Sequence, residues 1–289
     1  MKKRPRNVAA VAPKVDESTQ ICHGFEIIGD IVIIKIANFS QVTAEQMGAA
    51  TIMERHKNVK AVFAQETGVH GAFRLRGLTH MAGENRTYTI HRESGCSFKV
   101  NLEKCFFSPR LSGERLRVAQ QVQTGETIIN MFAGVGCFSI LIAKRVQNVK
   151  VYSIDINPSA VHYMTENIRL NKVYGRVIPL LNDSRKIVEH RLQASADRVL
   201  LLLPEKSLEY LNVAVSALKP SGGWVHYYDF EHAQKDENPL EKSKLKVMEK
   251  LDKLEIDYAF ESSRIVRKVG PNWYQLVLDI HITKAPHKS

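Results

Sequence analysis

From residue 125 onward the chain alternates short, almost wholly apolar runs with longer segments whose apolar residues recur at helical spacing. The runs are T-I-I-N-M-F, V-K-V-Y-S-I-D, G-R-V-I-P-L-L, R-V-L-L-L-L and G-G-W-V-H-Y-Y-D-F, and helices fit between them at 138–146, 157–171, 185–192 and 205–218. A strand with no polar face must be covered on both sides, and a helix between successive strands is the connection that parallel strands need. A charged helix at about 237–254 precedes two further runs, I-D-Y-A-F-E-S-S-R-I-V-R-K and W-Y-Q-L-V-L-D-I-H-I, with no helix between them. The expected fold is therefore α/β: a mostly parallel, seven-stranded sheet, covered on both faces, with an antiparallel edge.

Upstream the texture differs. F-E-I-I-G-D-I-V-I-I-K-I-A reads as two strands joined by a tight turn at Gly29-Asp30. A helical segment follows, and then short strand candidates V-K-A-V-F-A-Q, F-R-L-R-G-L, T-Y-T-I-H-R-E and S-F-K-V-N-L. The division expected is a basic, flexible tail at 1–20, a small α+β domain at 21–110 and the sheet domain at 111–289. No apolar run approaches the length of a membrane span, and M-K-K-R-P-R-N is not followed by the apolar core of a secretory signal. A cytoplasmic protein is expected. Cys22, Cys96, Cys105 and Cys137 lack metal-ligand spacing, so buried, reduced thiols are expected and no metal. The formal charge of +11 suggests a polyanionic partner, since each neutralised phosphate releases counterions.

The first apolar run passes into a glycine turn, I-N-M-F-A-G-V-G-C-F-S-I, from Ile129 to Ile140. In an open α/β sheet this is where ligands bind, beyond the carboxyl ends of the strands. The turn is not the dinucleotide fingerprint, because Ser139 stands where its third glycine would be, and no Gly-Lys-Ser/Thr of a P-loop follows. The second run ends in Asp155, 19 residues after Gly136, where a carboxylate can accept both hydroxyls of a ribose. The third ends in N-D-S, and Asp183 is placed to meet an adenine amino group. An adenosine without a pyrophosphate suits this set, and S-adenosylmethionine fits that description. The competing reading is that the glycines serve only close packing and the acids only cap helices.

Longer stretches carry a resemblance. I-N-M-F-A-G-V-G-C-F-S-I, I-D-I-N-P-S-A-V-H-Y-M-T-E-N-I-R-L-N-K-V and A-D-R-V-L-L-L-L-P resemble motifs of the archaeal and eukaryotic tRNA (guanine-N1)-methyltransferases that modify guanosine 37. F-F-S-P-R-L-S-G-E-R-L-R-V-A, R-L-R-G-L-T-H-M-A-G-E-N, H-R-E-S-G and R-K-V-G-P-N-W-Y-Q-L-V-L-D resemble that family too. The similarity spans about residues 23–284. A sister family, the aminocarboxypropyl transferases of wybutosine synthesis, is similar through the first motif and D-I-N-P.

The resemblance implies a Rossmann-like class I methyltransferase domain with S-adenosylmethionine as cofactor. Its cofactor residues would be Arg115, Asn130, Phe132, Gly134, Gly136, Phe138, Asp155, Ile156, Asp183, Ser184 and Leu202. Guanine N1 keeps its proton at neutral pH, so methylation needs a base at N1–H and a donor for the charge developing on O6. The resemblance implies Glu114 as the base, Arg74 as the O6 donor, with Arg76 its competitor, and Pro204 beside the transfer site. Each also has a plainer reading: Glu114 as a first-turn helix acid, Arg74 as a solvated strand residue. His226, Tyr227, Tyr228 and Phe230 either stack on the target base or simply make up an aromatic strand.

Two positions depart from the family pattern. Asn130 stands where an Asp usually precedes M-F-A-G-V-G, and Leu202 where an Asn usually opens Asn-Leu-Pro. Both are compatible with an altered substrate such as a tricyclic wyosine intermediate, or with a divergent lineage. The alternative readings are aminocarboxypropyl transfer to such an intermediate and an RNA-binding protein with a degenerate cofactor site. Family members commonly carry a further N-terminal domain that inspects the outer corner of the tRNA, whereas here F-E-I-I-G-D-I is reached by residue 25. Recognition is then expected to rest on the anticodon stem-loop, by a monomer, with Arg264, Arg267 and Lys268 as a phosphate contact patch.

Overall fold

The buried isoleucines on either side of Gly29-Asp30 pair as an antiparallel hairpin, β1 (Phe25–Ile28) with β2 (Ile31–Lys35). The structure is a computed structural model and describes residues 24–35 and 42–284. The expected tail at 1–20 and Cys22 lie outside the described residues, as do the side chains of 42–47. β2 pairs in parallel with β3 (Ala61–Gln65) after helix α1 (Val42–Arg55), and β3 pairs with β4 (Leu78–Gly83), giving a four-stranded sheet.

One strand expectation fails here. F-R-L-R-G-L is a tight turn, not a strand: Gly71 and Arg74 both have positive φ, 70° and 54°, and an isolated bridge joins His70 to Leu75. The β-prone residues lose to this closure, and pairing begins only at Leu78.

β5 (Tyr88–Glu93) and β6 (Cys96–Asn101) pair only with each other. The free edge of β6 is satisfied by side chains of a helix, α4 (Pro158–Asn171). Asn171 Oδ1 accepts from Ser97 N at 2.9 Å, and Asn167 Oδ1 accepts from Lys99 N at 2.7 Å. Partly buried backbone donors are thus paired without a third strand.

Helix α2 (Ser112–Gln121) leads into the large sheet. Its strands are β7 (Thr127–Asn130), β8 (Lys150–Asp155), β9 (Val177–Leu181), β10 (Arg198–Leu201), β11 (Gly223–His232), β12 (Asp257–Gly270) and β13 (Trp273–Lys284). The connecting helices are α3 (Cys137–Arg145), α4, α5 (Ser184–Ile187), which continues as a π turn to Leu192, α6 (Pro204–Ala217) and α7 (Pro239–Asp252). The spatial order is β12-β13-β11-β10-β7-β8-β9, with β9 to β11 parallel and β13 antiparallel to both of its neighbours. The mostly parallel, seven-stranded sheet and its antiparallel edge are as expected.

One buried core runs from Phe63 of the small sheet through Phe98 and Phe107 to Val118 and Ile140, and a second covers the opposite face with Val199, Leu211, Val247 and Leu276. Chain order reverses between β7 and β10, so a crevice opens where their carboxyl ends diverge.

Candidate active site

That crevice holds a cavity of about 420 Å³, lined among others by Arg74, Phe132, Gly134, Asp155, Ser184 and Leu202. Gly134 has φ 56°, and a side chain there would meet nothing within 4 Å, so the backbone presents open space to a ligand. Gly134 N donates to Asp155 Oδ2 at 2.7 Å, and Asn157 N donates to Oδ1 at 2.9 Å. These amides fix the carboxylate at the end of β8. Burial pushes the Asp155 carboxyl above its ordinary value, and the backbone N–H groups oppose that rise.

Gly136 serves packing. A Cβ on it would come within 2.9 Å of the Met164 side chain, so its place is where α3 closes on α4. Asn130 is fully buried and lines neither this cavity nor the next. Its Nδ2 donates to Ser139 Oγ at 3.1 Å and its Oδ1 accepts from Phe132 N at 3.3 Å, so the side chain braces the turn from behind.

Asp183 caps α5 by accepting from Arg185 N at 2.8 Å, and it also accepts from Tyr210 Oη at 3.1 Å. Tyr210 stands edge-on to Phe132, with 5.1 Å between ring centroids. Ser184 Oγ is buried on the cavity wall with no hydrogen-bond partner among the described residues. Ile156, 44% exposed, supplies an apolar surface on the same rim.

A smaller cavity of about 80 Å³ adjoins, sharing Phe106, Phe132, Gly134 and Leu202 and adding Arg115, Phe138 and Tyr228. Arg115 is held by a fork to Glu93 of β5, at 2.5 and 2.7 Å, and by Ser108 O at 3.2 Å. Tyr228 donates to Glu114 Oε1 at 2.7 Å. Glu114 is 4% exposed. Arg117 Nε and Nη2 also donate to its Oε1, at 2.9 and 2.7 Å. Its Oε2 makes no hydrogen bond among the described residues and pairs with Arg264 Nη1 at 3.5 Å. One oxygen is saturated; the other is buried and, among the described residues, without a hydrogen bond, and Glu114 itself lines neither cavity.

Arg74 lies on the wall of the larger cavity, its guanidinium 4.5 Å over the Phe106 ring and 3.2 Å from Glu205. Arg76 points elsewhere, donating to Phe107 O at 2.9 Å beside Glu26. Pro204 is buried at the first position of α6, and Leu202, Leu203 and Glu205 around it line the cavity.

His226, Tyr227 and Tyr228 do not form a stacking surface. They are 0%, 0% and 2% exposed beneath the helices on the two faces of the sheet, whereas Phe230, further along β11, is half-buried with its ring 5.8 Å from the Arg74 guanidinium. What the sequence did not disclose is the set of partners behind Glu114: Arg117, His226 and Asp279. The one local signal was the helical spacing of Glu114 and Arg117. Asp279 joins them only through the pairing of β13 with β11. Among the described residues no group of His, Cys, Asp or Glu is placed to hold a metal ion.

Residues 89–257 match the TRM5/TYW2 methyltransferase domain, and residues 10–87 match a TYW2 N-terminal domain. The chain is 41% identical to tRNA (guanine(37)-N(1))-methyltransferase Trm5b of Pyrococcus abyssi, over 90% of this chain and 74% of that one. The crystal structure of wild-type Trm5b from P. abyssi superposes with a TM-score of 0.80 at 37% identity, over 98% of this chain and 82% of that one. A tRNA 4-demethylwyosine(37)-methyltransferase, Taw21 of Saccharolobus solfataricus, is 38% identical over 92% of this chain and 97% of its own length. M. jannaschii TYW2, solved in complex with AdoMet, superposes with a TM-score of 0.67 at 27% identity, over 90% of this chain and all of that one. With more than half of its length matched by the family's methyltransferase domain, this chain belongs to the TRM5/TYW2 methyltransferase family.

Proposed function

We propose that the protein transfers a methyl group from S-adenosylmethionine to N1 of guanosine 37 in tRNA. The observation that carries this reading is the Glu114 carboxylate: buried, saturated at Oε1, without a hydrogen bond among the described residues at Oε2, where Arg264 lies 3.5 Å away, and joined through Tyr228 to the wall of the cavity beside the glycine turn. The residues present fit the cofactor. Gly134 leaves open space at the end of β7, Asp155 is fixed where ribose hydroxyls would be accepted, and Ser184 Oγ is a buried polar atom without a partner. Phe132, Ile156 and Asp183 would complete the adenosine site, with Leu202 and Phe138 toward the methionine end.

The cofactor supplies a methyl group already activated on a sulfonium. The protein's share is alignment and proton removal. Glu114 Oε2 takes the N1 proton as the N1–CH3 bond forms and the S–CH3 bond breaks, leaving a neutral thioether. Arg74 donates to O6 as negative charge gathers there, in a site where Phe106 and Phe132 exclude water and strengthen that bond. Arg115, tied to Glu93, fixes the wall of the smaller cavity. In this reading a cytoplasmic monomer recognises the anticodon stem-loop, with Arg264, Arg267 and Lys268 of β12 meeting phosphates.

A second reading has one specific observation in its favour. Leu202 puts an apolar side chain on both cavities. Methylation of a tricyclic base at position 37 is that alternative. Incubation with labelled S-adenosylmethionine and tRNA bearing either an unmodified guanosine 37 or the tricyclic base, followed by nucleoside analysis, decides between them. Label in N1-methylguanosine is the expected result. Label only in the tricyclic nucleoside gives the second reading, and label in neither sinks both.

A further inference from the structure

Behind Glu114 a line of buried charged and polar groups runs across the sheet face under α2. Arg117 bridges two carboxylates: its Nε and Nη2 bond Glu114 Oε1, and its Nη1 and Nη2 bond both oxygens of Asp279 on β13. Asp279, 1% exposed, also accepts from Gln121 at 3.0 Å, from Ser262 at 2.7 Å and from His226 Nδ1 at 2.6 Å. His226, on β11 opposite Asp279, has Arg198 Nη1 at 2.8 Å from its Nε2. Arg198 in turn forks onto Glu126 at 2.8 and 2.9 Å.

The donor inventory fixes the state of the middle of this line. A guanidinium can only donate, so His226 Nε2 accepts, the proton sits on Nδ1, and the ring is neutral. Burial lowers the His226 pKa further, with Asp279 opposing. Burial pushes the Asp279 carboxyl up, but His226, Arg117 and Gln121 outweigh it and hold the group ionised, well below the usual carboxylate range. From Glu126 to Glu114 the groups run carboxylate, guanidinium, neutral imidazole, carboxylate, guanidinium, carboxylate.

Stability does not call for such a line, since buried ion pairs are commonly replaced by apolar residues of similar volume at no loss. What the line does achieve is orientation. Arg117 cannot rotate while Asp279 holds its far edge, and Asp279 cannot rotate while His226 and Gln121 hold it. Glu114 is left with one orientation, Oε1 inward and Oε2 free.

We propose that Asp279 and His226 are positioning residues for methyl transfer, acting through Arg117 to hold the Glu114 carboxylate with Oε2 free to take the substrate proton. This rests on the reading of Glu114 as the base. The test is a double-mutant cycle on the full chain with Asp279→Asn, Glu114→Gln and the pair. It reads kcat in single-turnover methylation of tRNA, KM for tRNA, cofactor Kd and Tm. Asp279→Asn is expected to lower kcat by about 10- to 100-fold, the loss typical of a misplaced catalytic group, with KM and Kd within about threefold of the parent. Added to Glu114→Gln it is expected to cost nothing more.

An Asp279→Asn enzyme at the parental kcat, with Glu114→Gln inactive, overturns the proposal and leaves the base assignment standing. Equal losses in both backgrounds also overturn it, because the residue then acts independently of Glu114. A Glu114→Gln enzyme at the parental rate instead removes the base, and the proposal with it. Should Asp279→Asn fail to fold, Arg117→Lys replaces it in the cycle. That variant keeps the charge, but a single ammonium cannot span both carboxylates. The same loss confined to kcat is expected, and a parental kcat overturns the proposal.

Discussion

Arg74 Nη1 and Glu205 Oε2 lie 3.2 Å apart, tying the tight turn before β4 to the first turn of α6. The turn comes from the small sheet and the helix from the large one, so the pair spans the mouth of the cavity. Glu205 also stands at a helix N-terminus, where a negative charge is favourable. Arg74 holds a left-handed backbone, φ 54°, at a position with no glycine to ease it. Strain of this kind persists where surrounding contacts enforce it, here Phe106 under the guanidinium and Glu205 at its tip.

Removing the two partners should separate their roles. Glu205 is half exposed, so Glu205→Gln should cost no more than about 1 kcal/mol in stability, read by thermal denaturation. Arg74→Ala should slow methyl transfer by about 10²- to 10³-fold, the loss found on deleting one donor to a developing oxyanion. Cofactor affinity, measured by calorimetry, should stay within about threefold in both. An Arg74→Ala enzyme at the parental rate would remove it from the reaction.

Asp155 gives a pH dependence whose sign is set by burial. Its native pKa is raised, so the carboxylate takes up a proton at a higher pH in the folded protein than in the unfolded chain. The ionised form, which ribose hydroxyls would bond, is lost as pH falls through that raised value. Cofactor affinity should therefore decline on acidification while still above the pH range where an ordinary aspartate titrates. Asp155→Ala should bind the cofactor about 100-fold more weakly or worse, since two hydrogen bonds to a charged group are lost, and should show no such acid limb. Calorimetry across pH checks both. An acid limb that persisted in the variant would assign it to another group.

The parts of this fold legible in the sequence are those set by local rules. Apolar strands and helical spacing located the seven strands, and Gly134 with Asp155 located the crevice, because a glycine turn and a strand-end acid work over a few residues. The turn at Arg74 has a strand-like local sequence, with Phe73, Leu75 and Leu78, and only the closure of His70 on Leu75 reverses that. The aromatic residues ending β11 read locally as a possible stacking surface. The burial of His226, Tyr227 and Tyr228 comes from helices that long-range packing brings over the two faces of β11, and Phe230 stays half-buried beside Arg74. For the same reason nothing in V-L-D marked Asp279 as a partner of Glu114. Long-range pairing decides which side of a strand meets which helix, and no local pattern encodes that choice.

Asn130 and Ser139 offer a stability test away from the chemistry. Both are fully buried, and the Asn130 amide spends its Nδ2 on the Ser139 hydroxyl at 3.1 Å. Ser139→Ala leaves that donor unpaired in the interior and should cost about 1–3 kcal/mol in denaturant unfolding. Because Asn130 braces the glycine turn through Phe132 N, cofactor affinity should weaken as well. Unchanged affinity alongside lost stability would show that the brace serves folding alone.

Leu202 is the position where sequence and site make a joint claim about the target base. It follows β10, lines both cavities and packs against the core that holds Phe138. The family pattern that this chain resembles has an asparagine there, whose carboxamide can bond polar edges of a base. A leucine presents only surface, which tolerates added apolar bulk and gives nothing to a bare guanine. Sites built on hydrogen bonds reject a partner that cannot answer them far more strongly than apolar sites reject a polar one. Leu202→Asn should therefore raise the ratio of kcat/KM for tRNA with guanosine 37 over tRNA with a tricyclic base, by about tenfold or more. The measurement is a competition between the two tRNAs in one reaction, with products separated as nucleosides. A ratio that did not move would place base selection elsewhere on the wall, with Arg74 and Phe106 the next residues to vary.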